Sequence, residues 1–372
     1  MRLDRLTLTD FRNYERCVWE PQSTIAVLTG ENGSGKTNLL EALSLLAPGK
    51  GLRNALPAHL CREGADLWGV AAQFSGQNQS FQLSTGLPSV PSDAHQRTRK
   101  RIFVLDGETV RNQSIVASLF RCVWLTPQMD RLFTENASGR RRFFDRLVMT
   151  LYPDHASQMA AHERSVMSRN RLLSDPHCDP LWLDAVEDSI TRHAVAATAA
   201  RLSFIERMNT LSLFNKDFPA TNIRIHCEIA HRLQQYPALS VEDWVKEKLR
   251  QDRKSDAQKG STSIGVHRSD FSLHDRATKR SASLSSSGQQ KLMLLGLVLH
   301  HAVMVAELWE DKPFILLDEP LLHLDDRKRM ALLSNLQDLE HPVFITGTEE
   351  NDFSLLKGKA DFYKIVKGTI KP

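Results

Sequence analysis

Residues 28–37 read LTGENGSGKT, and this stretch decides the fold. Gly30, Gly35, Lys36 and Thr37 fit the spacing G-x-x-x-x-G-K-[ST] in full. In that pattern the glycines let successive backbone N–H groups turn towards bound phosphates, the lysine adds positive charge, and the hydroxyl can ligate Mg²⁺. At average glycine frequency, a chance match in a chain of this length is on the order of one in a hundred. The stretch therefore predicts a loop that binds the phosphates of a nucleotide.

The residues on both sides of this loop favour a strand before it and a helix after it. Residues 24–29 (TIAVLT) are apolar and β-branched, which is typical of a buried strand. Residues 37–46 place leucines on one helical face. We also expect Asn32, Gly33 and Asn38, which lie in the loop or directly after it, to contact the nucleotide. A strand–loop–helix unit is the setting that phosphate binding at a helix N-terminus needs.

The composition bounds the classes of protein to consider. The 372 residues are 41% hydrophobic, which is enough for two domains with a core in each. The formal charge is +4, from 48 Lys and Arg against 44 Asp and Glu, and it permits a nucleic-acid partner without requiring one. The 5 cysteines form no C-x-x-C pair, so we expect neither a disulfide framework nor a zinc site, and a cytoplasmic location. Residues 292–308 are apolar but too short and too polar for a membrane span, so we expect no membrane segment.

Strand and helix patterns alternate near both ends of the chain, whereas the middle is helical. Further strands are predicted at residues 69–74, 81–85, 102–105, 121–125, 314–317 and 343–346. Apolar residues recur at helical spacing after a helix start at residues 179–180, and residues 251–265 are polar, which is typical of a linker. We therefore predict an α/β fold of mixed sheets with flanking helices, built from residues 1–130 and 260–372, with a helical lobe inserted at residues 131–259.

Two carboxylates directly follow the predicted strand at residues 314–317. This segment reads FILLDEP, and its acids are Asp318 and Glu319. In nucleotide-hydrolysing sites, one such acid holds Mg²⁺ and the next polarises the attacking water. An acidic strand end is often merely solvated, but here it follows a complete phosphate loop. We therefore predict that Asp318 binds the metal together with Thr37, and that Glu319 acts in catalysis together with Lys36.

A serine- and glycine-containing segment precedes these carboxylates. Residues 285–291 read SSSGQQK and open an apolar helix, which alone is typical of a serine helix cap. The order of phosphate loop, Ser-x-Gly-Gln helix start and strand-Asp-Glu resembles the ABC-type ATPases, in which the signature segment of one subunit completes the phosphate site of another. That resemblance implies an ATP-dependent homodimer, in which Ser286 and Gly288 meet the γ-phosphate bound at Lys36 of the other copy. It also implies a nucleotide contact for Asp325, at the D-loop position of DEPLLHLD.

Other positions either match the ABC pattern or depart from it. Gln128, in WLTPQ, resembles the Q-loop glutamine that senses metal and nucleotide. Ser285 replaces the usual apolar first residue of the signature, and Gly347 stands where that class has its switch histidine. The resemblance implies ATP and Mg²⁺ as cofactors, and the two departures imply slow hydrolysis.

Five segments spread over almost the whole chain narrow the resemblance. They are LTLTDFRNY at 6–14, PGKGLRNA at 48–55, SGRRRFFDRL at 138–147, GVHRSDF at 265–271 and VFITGTE at 343–349. Their order is similar to that of the RecF family of DNA replication and repair ATPases. This resemblance implies a cytoplasmic, DNA-stimulated ATPase that binds double-stranded DNA near single-strand gaps. It also implies RecO and RecR as partners in loading RecA recombinase.

Basic clusters are the indication of a DNA partner that the sequence itself offers. The basic residues are Arg53, Arg97, Arg99, Lys100, Arg101, Arg140, Arg141 and Arg142. Such clusters can neutralise DNA phosphates without reading bases, which makes binding depend on salt concentration. Each arginine could instead be solvated or paired within the protein, as Arg141 or Arg142 with Asp145 at helical spacing. We expect at least one cluster to contact DNA.

Three other functions stay open at this point. An ATP-binding scaffold with little hydrolysis would explain the absence of a switch histidine, and a DNA-stimulated turnover would exclude it. The nucleotide-binding subunit of a membrane transporter shares the phosphate loop but needs a smaller helical lobe. A small-molecule kinase would explain Lys36 but neither Ser286 nor Asp325.

Overall fold

The computed structural model describes most of the chain, and the described residues form two compact units. The described residues are 1–76, 80–88, 100–210 and 218–371. The first unit combines both chain ends, and the second is the middle of the chain: residues 1–130 with 297–372, and residues 131–296. The first boundary, between residues 130 and 131, is the expected one, whereas residues 260–296, expected in the first domain, belong to the second unit.

Strands and helices are numbered here in chain order. The strands are β1 Arg2–Phe11, β2 Tyr14–Trp19, β3 Ile25–Thr29, β4 Gly69–Ser75, β5 Ser80–Gly86, β6 Ile102–Leu105, β7 Glu108–Val110, β8 Cys122–Leu125, β9 Thr221–His226, β10 Asp270–Asp275, β11 Phe314–Leu317, β12 Val343–Gly347, β13 Asp361–Val366 and β14 Thr369–Lys371. The helices are α1 Lys36–Leu45, α2 Gln113–Leu119, α3 Ala137–Leu151, α4 His155–Leu173, α5 Pro180–Thr210, α6 Glu228–Leu233, α7 Ala238–Gln251, α8 Arg253–Lys259, α9 Ser287–Trp309 and α10 Asp326–Asp338.

The first unit contains a sheet whose strands come from both ends of the chain. Its order is β14-β13-β3-β12-β11-β8, and the strands from β13 to β8 run parallel. All residues of β3, β8, β11 and β12 are buried, which is why these segments are continuously apolar. The carboxyl ends of β3, β12, β11 and β8 therefore meet at one edge of the sheet. The predicted α/β fold built from both chain ends is confirmed.

A second sheet of the first unit is antiparallel. Its order is β2-β1-β4-β5-β6-β7, and the side chains of β1 alternate between the core and solvent. Leu6 and Leu8 face the core, and Trp19 of β2 packs edge-on against Phe344 of the parallel sheet. The two sheets of this unit thus share one hydrophobic core.

The second unit is built on an antiparallel pair of helices, α4 and α5. Ser165 and Ser189 hydrogen-bond across this pair at 2.9 Å, and Gln158 bonds His193 at 2.6 Å. A smaller antiparallel ribbon of β9 and β10 follows. Because β10 pairs with β9, the residues after 260 are held in the second unit.

Arg169 is the centre of a buried ion-pair network in the second unit. Its guanidinium donates from Nε to Glu187 at 2.9 Å and from Nη1 to Asp256 at 2.6 Å. It also donates to Thr262 and to the carbonyl oxygen of Leu249, and its side chain is 0% exposed. The network joins α4 to α5, to the end of α7 and to α8. The prediction of a linker at residues 251–265 is wrong, because the polar residues there form α8 and pair with buried charges.

A second buried ion pair of this unit joins Asp145 to Arg201. Asp145 accepts two hydrogen bonds from Arg201, both 2.8 Å, and lies 2.9 Å from His155 Nε2. Burial works against the ionised form, yet His155 and Arg201 together hold the pKa of Asp145 below its ordinary value. Arg201 is therefore the arginine that pairs with Asp145, rather than Arg141 or Arg142, which the helical spacing had offered as an alternative. Asp145 of α3 thus pairs with an arginine of α5 and not with an arginine of its own helix.

Helix α9 is longer than the sequence pattern indicated. It has 23 residues, and its most apolar window has a mean hydropathy of 1.8, so by length and composition it could cross a membrane. The expectation that this segment is too short and polar is wrong on that count. However, 72% of the window is buried inside the protein, as is usual for the core helix of a globular protein.

Because the side chain of His162 is buried, we expect acid to destabilise the second unit. Burial, with His267 and Arg201 nearby, lowers the pKa of His162 to about 3. Between that pH and the unfolded-state value near 6.5, the unfolded chain binds more protons, so stability is lost as the pH falls through this range. Between pH 7.5 and 5, the free energy of unfolding of the wild-type protein should fall by about 2 kcal/mol more than that of His162→Phe. Urea unfolding followed by circular dichroism at the two pH values measures this difference. Equal losses in both proteins would contradict the prediction.

Candidate nucleotide site

The phosphate loop lies at the carboxyl end of β3 and leads into α1. Gly30 has φ +144°, and a Cβ atom there would lie 2.4 Å from the carbonyl oxygen of Ile365. Gly35 has φ +120°, and a Cβ atom there would lie 2.7 Å from the Tyr14 hydroxyl. Both positions combine a left-handed backbone with a close approach, so only glycine fits. Asn32 and Gly33 are exposed at the tip of the loop.

Two residues near the start of the chain hold this loop from behind. Asn13 Nδ2 donates to the carbonyl oxygen of Ser34 at 3.1 Å, and the buried Tyr14 hydroxyl donates to that of Gly35 at 3.1 Å. Asn38, one of the predicted nucleotide contacts, donates to Asn13 at 2.8 Å. Asn13 and Tyr14 belong to LTLTDFRNY, a segment that supports the family resemblance but does not itself indicate a contact with the loop. Only the turn between β1 and β2 brings these side chains under the loop.

The side chain of Lys36 folds back over the loop. Its Nζ donates to the carbonyl oxygens of Gly30 at 2.6 Å and Glu31 at 3.1 Å, and it lies 3.6 Å from a carboxylate oxygen of Glu319. Only 5% of the residue is exposed. A buried ammonium held among carbonyl oxygens at a helix N-terminus places positive charge where phosphate oxygens would lie.

Asp318 and two hydroxyls form a compact oxygen cluster beside the loop. Asp318 follows β11, and its Oδ1 accepts hydrogen bonds from Thr37 at 2.9 Å and from Thr346 at 2.8 Å. Thr346 also accepts from the backbone N–H of Glu319 at 2.9 Å. Thr346 was not among the residues predicted for this site. Its signal was one polar residue near the end of the otherwise apolar strand VFITG.

This cluster fits Mg²⁺. Hydroxyl and carboxylate oxygens are the hard ligands that Mg²⁺ prefers, and Mg²⁺ usually takes only one or two protein ligands beside water and phosphate. Among residues 1–76, 80–88, 100–210 and 218–371, no group of three or more His, Cys, Asp or Glu could hold a metal. A magnesium site built from Thr37 and Asp318 would therefore rely on the nucleotide for further ligands.

Two other predicted residues lie at the same edge of the sheet. Glu319 has φ +49°, and its carboxylate is 22% exposed. Gln128 is exposed in the short 3₁₀ helix Pro127–Arg131, which directly follows β8. Since β8 lies beside β11 and runs parallel to it, Gln128 and Glu319 both follow carboxyl ends of neighbouring strands.

Gly347, at the switch-histidine position, has no room for a side chain. A Cβ atom there would lie 2.3 Å from the ring of Phe353, which is 1% exposed. The absence of histidine at the end of β12 is therefore built into the packing. The ring of Phe353 occupies the space that a longer residue would need.

The predicted signature residues begin α9. Ser286 Oγ accepts from the N–H of Gln289 at 3.4 Å, while Gln289 Oε1 accepts from the N–H of Ser286 at 3.1 Å. This reciprocal pair is a capping box, so the serine caps the helix as its composition indicated. Ser286 is exposed and Gly288 is half-buried. Asp325 likewise caps α10 by accepting from the N–H of Lys328 at 3.0 Å.

Four of the eight basic residues considered for DNA contacts have partners within the chain. Arg53 donates to Glu41, Arg101 to three backbone carbonyls, Arg140 to Asp270 and Arg141 to Ser269. Burial lowers the pKa of Arg101 to about 10. The exposed side chains are those of Lys100 and Arg142. Arg97 and Arg99 lie outside the described residues.

Comparison with known proteins places this site in a family. The family model for the RecF/RecN/SMC N terminal domain matches residues 2–369. The DNA replication and repair protein RecF of Mesorhizobium japonicum is 37% identical over 374 residues, covering 100% of this chain and 97% of that protein. RecF of Agrobacterium fabrum is 38% identical over 373 residues, covering 99% and 98%. This chain belongs to the RecF family. It is accordingly a DNA replication and repair ATPase, which confirms the resemblance seen in the sequence.

Solved structures agree with the RecF fold. The structure of the recombination mediator protein RecF bound to ATP, from the RecFOR pathway, superposes with a TM-score of 0.83 at 21% identity and covers 100% of this chain and 98% of that one. An SMC head bound to the C-winged helix domain of ScpA superposes with a TM-score of 0.52 at 14% identity, covering 100% and 97%. At these identities the likeness concerns the fold alone.

Proposed function

We propose that this RecF chain binds ATP with Mg²⁺, dimerises head to head on it, and holds DNA until hydrolysis opens the dimer. The observation that carries the proposal is the cluster of Lys36, Thr37, Asp318 and Glu319 at one edge of the parallel sheet. The cluster offers groups for the metal, the phosphates and the water. Solved structures of RecF with ATP support ATP as the nucleotide.

The triphosphate is bound by the loop and its lysine. Backbone N–H groups from Gly30 to Thr37 surround the phosphates, and Asn38 continues the loop into α1. Thr37 and Asp318 hold Mg²⁺, which when bound neutralises phosphate charge. Lys36 moves from the carbonyl oxygens that it contacts to the phosphate oxygens, because a charge-assisted bond to an anion is the stronger one.

Glu319 is the residue that orients the attacking water. Its side chain is partly exposed beside Lys36, so water can reach the carboxylate. Gln128 is the second residue proposed to align this water, from the end of β8. Thr346 positions Asp318 and Glu319 relative to each other through its single hydroxyl.

The signature half of the site comes from a second copy of the chain. Ser286 and Gly288 of that copy contact the γ-phosphate, and Asp325 lies near the nucleotide. A helix N-terminus carries partial positive charge and free N–H groups, which favour a bound phosphate. Loss of the γ-phosphate removes the charge that joins the two copies, so hydrolysis times the release.

DNA and the partner proteins complete the proposal. Lys100 and Arg142 are the exposed basic residues that we assign to phosphate contacts, with affinity that falls as salt rises. The RecFOR pathway named for the solved RecF supports RecO and RecR as partners in the cytoplasm, at gapped duplexes where recombinase is loaded. DNA then stimulates the slow hydrolysis by stabilising the closed dimer.

A scaffold with little hydrolysis is the second candidate. The packing of Phe353 against Gly347 favours it, because the site has no histidine at the position that ABC-type ATPases use. The same cluster of residues would then bind ATP to hold the dimer closed. The lifetime of the closed dimer would be set by exchange of the nucleotide and not by its hydrolysis.

Light scattering of the Glu319→Gln protein tests the dimer. With ATP, the solution mass is expected to double, because the variant binds ATP but hydrolyses it too slowly to reopen. Adding Ser286→Arg to the same protein should keep the mass at that of one chain, since a bulky cation would fill the trans phosphate contact. The phosphate loop of each copy is untouched by that change, so ATP binding should persist.

Two outcomes would contradict the proposal. A mass that stays at one chain with saturating ATP would remove the dimer. A dimer that forms equally well with Ser286→Arg would show that the signature segment is not the trans contact. Fluorescent ATP binding measured on the same samples separates either result from loss of the nucleotide pocket.

A further inference from the structure

A cavity lies at the edge of the parallel sheet opposite to the phosphate loop. It has a volume of about 470 Å³ and is lined by Met1, Phe81, Leu119, Arg121, Trp309 and Asp311 among others. Arg121 precedes β8, and Trp309 ends α9 just before β11, so the cavity is at the amino ends of both strands. The four-residue length of β8 separates it from the candidate nucleotide site by roughly 15 Å.

Arg121 is the unusual residue of this cavity. It is 7% exposed, and its guanidinium lies 4.0 Å from the ring centroid of Trp309. Within the part of the chain that the structure describes, its buried Nε and Nη2 have no hydrogen-bond partner. Burial lowers the pKa of Arg121, while the negative charge of Asp311 acts in the opposite direction. Asp311 itself makes an ion pair with the amino group of Met1, at 3.4 Å.

A buried guanidinium with two donors that lack hydrogen-bond partners is destabilising. The desolvation of those donors costs free energy, and stacking on one aromatic ring returns only part of it. Other buried arginines of this protein are fully paired: Arg169 and Arg201 each bond a carboxylate and further oxygens. Arg121 therefore differs from them in having two buried donors without a hydrogen-bond partner in a residue that lines a cavity.

We propose that Arg121 binds a carboxylate group of a ligand in this cavity. The planar fork of a guanidinium matches the two oxygens of a carboxylate, and Trp309 fixes the plane of the fork. The rest of the ligand lies against the apolar side chains of Phe81 and Leu119. A volume of about 470 Å³ is within the range of ordinary small-ligand sites.

The acidic residues of the cavity favour a carboxylate over a phosphate. Glu310 and Asp311 line the same space, and they repel a dianion more strongly than a monoanion. Two sources offer the required chemistry: a free organic acid, and the terminal carboxylate of a peptide. Recognition of a terminal carboxylate is a known mode of peptide binding.

Fluorine NMR of the full-length protein labelled with 5-fluorotryptophan tests this proposal, with the Trp309 signal assigned through Trp309→Phe. Four probes are titrated: N-acetyl-alanyl-phenylalanine, its C-terminal amide, 3-phenylpropionate and inorganic phosphate. The free-acid peptide should shift the Trp309 signal saturably, and the amide should bind about tenfold more weakly or not at all. If 3-phenylpropionate binds as tightly as the peptide, the source is a free acid; if it binds more weakly, the source is a peptide terminus.

Variants of Arg121 supply the controls. Arg121→Met should abolish the shift while the thermal midpoint stays unchanged or rises, because an unpaired buried charge is replaced by an apolar chain. Arg121→Lys keeps the charge but not the fork, so it should weaken binding about tenfold and remains informative if the methionine variant does not fold. The exposed Arg5, with 45% of its side chain accessible, provides a matched control: Arg5→Met should change nothing.

Several results would overturn the proposal. They are equal binding of the acid and the amide, tighter binding of phosphate than of either carboxylate, and no shift with any probe. A fourth such result is an Arg121→Met protein that still binds the probes but has a lower thermal midpoint. That result would show that the arginine has only a structural role.

Discussion

Replacing Glu319 with glutamine is expected to lower the ATP turnover rate by about 10² to 10⁴-fold. The amide keeps the size and the backbone hydrogen bond to Thr346 but cannot take up a proton from water. Lys36 and Thr37 are unchanged, so ATP affinity should change little. Steady-state phosphate release, measured with saturating ATP and gapped duplex DNA, gives the turnover, and equilibrium binding of a fluorescent ATP analogue gives the affinity.

Glu349→Gln is the matched control for this substitution. Glu349 is an exposed glutamate just beyond β12, and it should leave turnover at the wild-type value. A Glu319→Gln enzyme that keeps half of the wild-type turnover would remove Glu319 as the catalytic carboxylate. If wild type itself released no phosphate with DNA, the scaffold function would be the better account of the site.

Replacing Arg169 with methionine is expected to reduce the free energy of unfolding of the second unit by about 3–5 kcal/mol. The methionine is apolar and of similar length, but it leaves the carboxylate of Asp256, which is 1% exposed, without its ion-pair partner. Glu187, also 1% exposed, loses one of its two arginines and keeps Arg253. A buried carboxylate that has lost its counter-charge is strongly destabilising. Urea unfolding followed by circular dichroism measures this loss, because the second unit is mainly helical.

A surface ion pair of the same unit is the control for that experiment. Arg192 pairs with Asp188 at 3.1 Å, and 61% of its side chain is exposed. Arg192→Met should cost less than about 1 kcal/mol, as exposed pairs contribute little. Equal losses for Arg169→Met and Arg192→Met would contradict the role given to the buried network.

The parts of the fold that depend on local sequence could be predicted. The phosphate loop is set by glycines whose conformations no other residue adopts, so residues 28–37 identify it without knowledge of their neighbours. Buried parallel strands are continuously apolar, and the strand predicted at 314–317 therefore has the bounds that the structure gives. The roles of Glu319, Gln128, Ser286 and the other site residues stay predictions that the experiments above address.

The parts that failed depend on contacts between distant residues. Residues 251–265 are polar because α8 donates and accepts within a buried network, and composition cannot distinguish buried polar residues from solvated ones. Asp145 has arginines nearby on its own helix, yet it pairs with Arg201 from α5. The contributions of Tyr14 and Thr346 to the nucleotide site likewise follow from the order of strands in the sheets, which local patterns do not encode.

The strand order also has a consequence for synthesis on the ribosome. In the parallel sheet, β3 and β8 are separated by β12 and β11, which lie roughly 200 residues further along the chain. At typical bacterial elongation rates, β8 waits about 10–40 s for those strands to be translated. During that interval its apolar edge has no strand beside it, and a nascent chain that terminates before β11 lacks Asp318, Glu319 and Thr346 of the candidate site. The candidate nucleotide site is therefore assembled only after β11 and β12 have been translated.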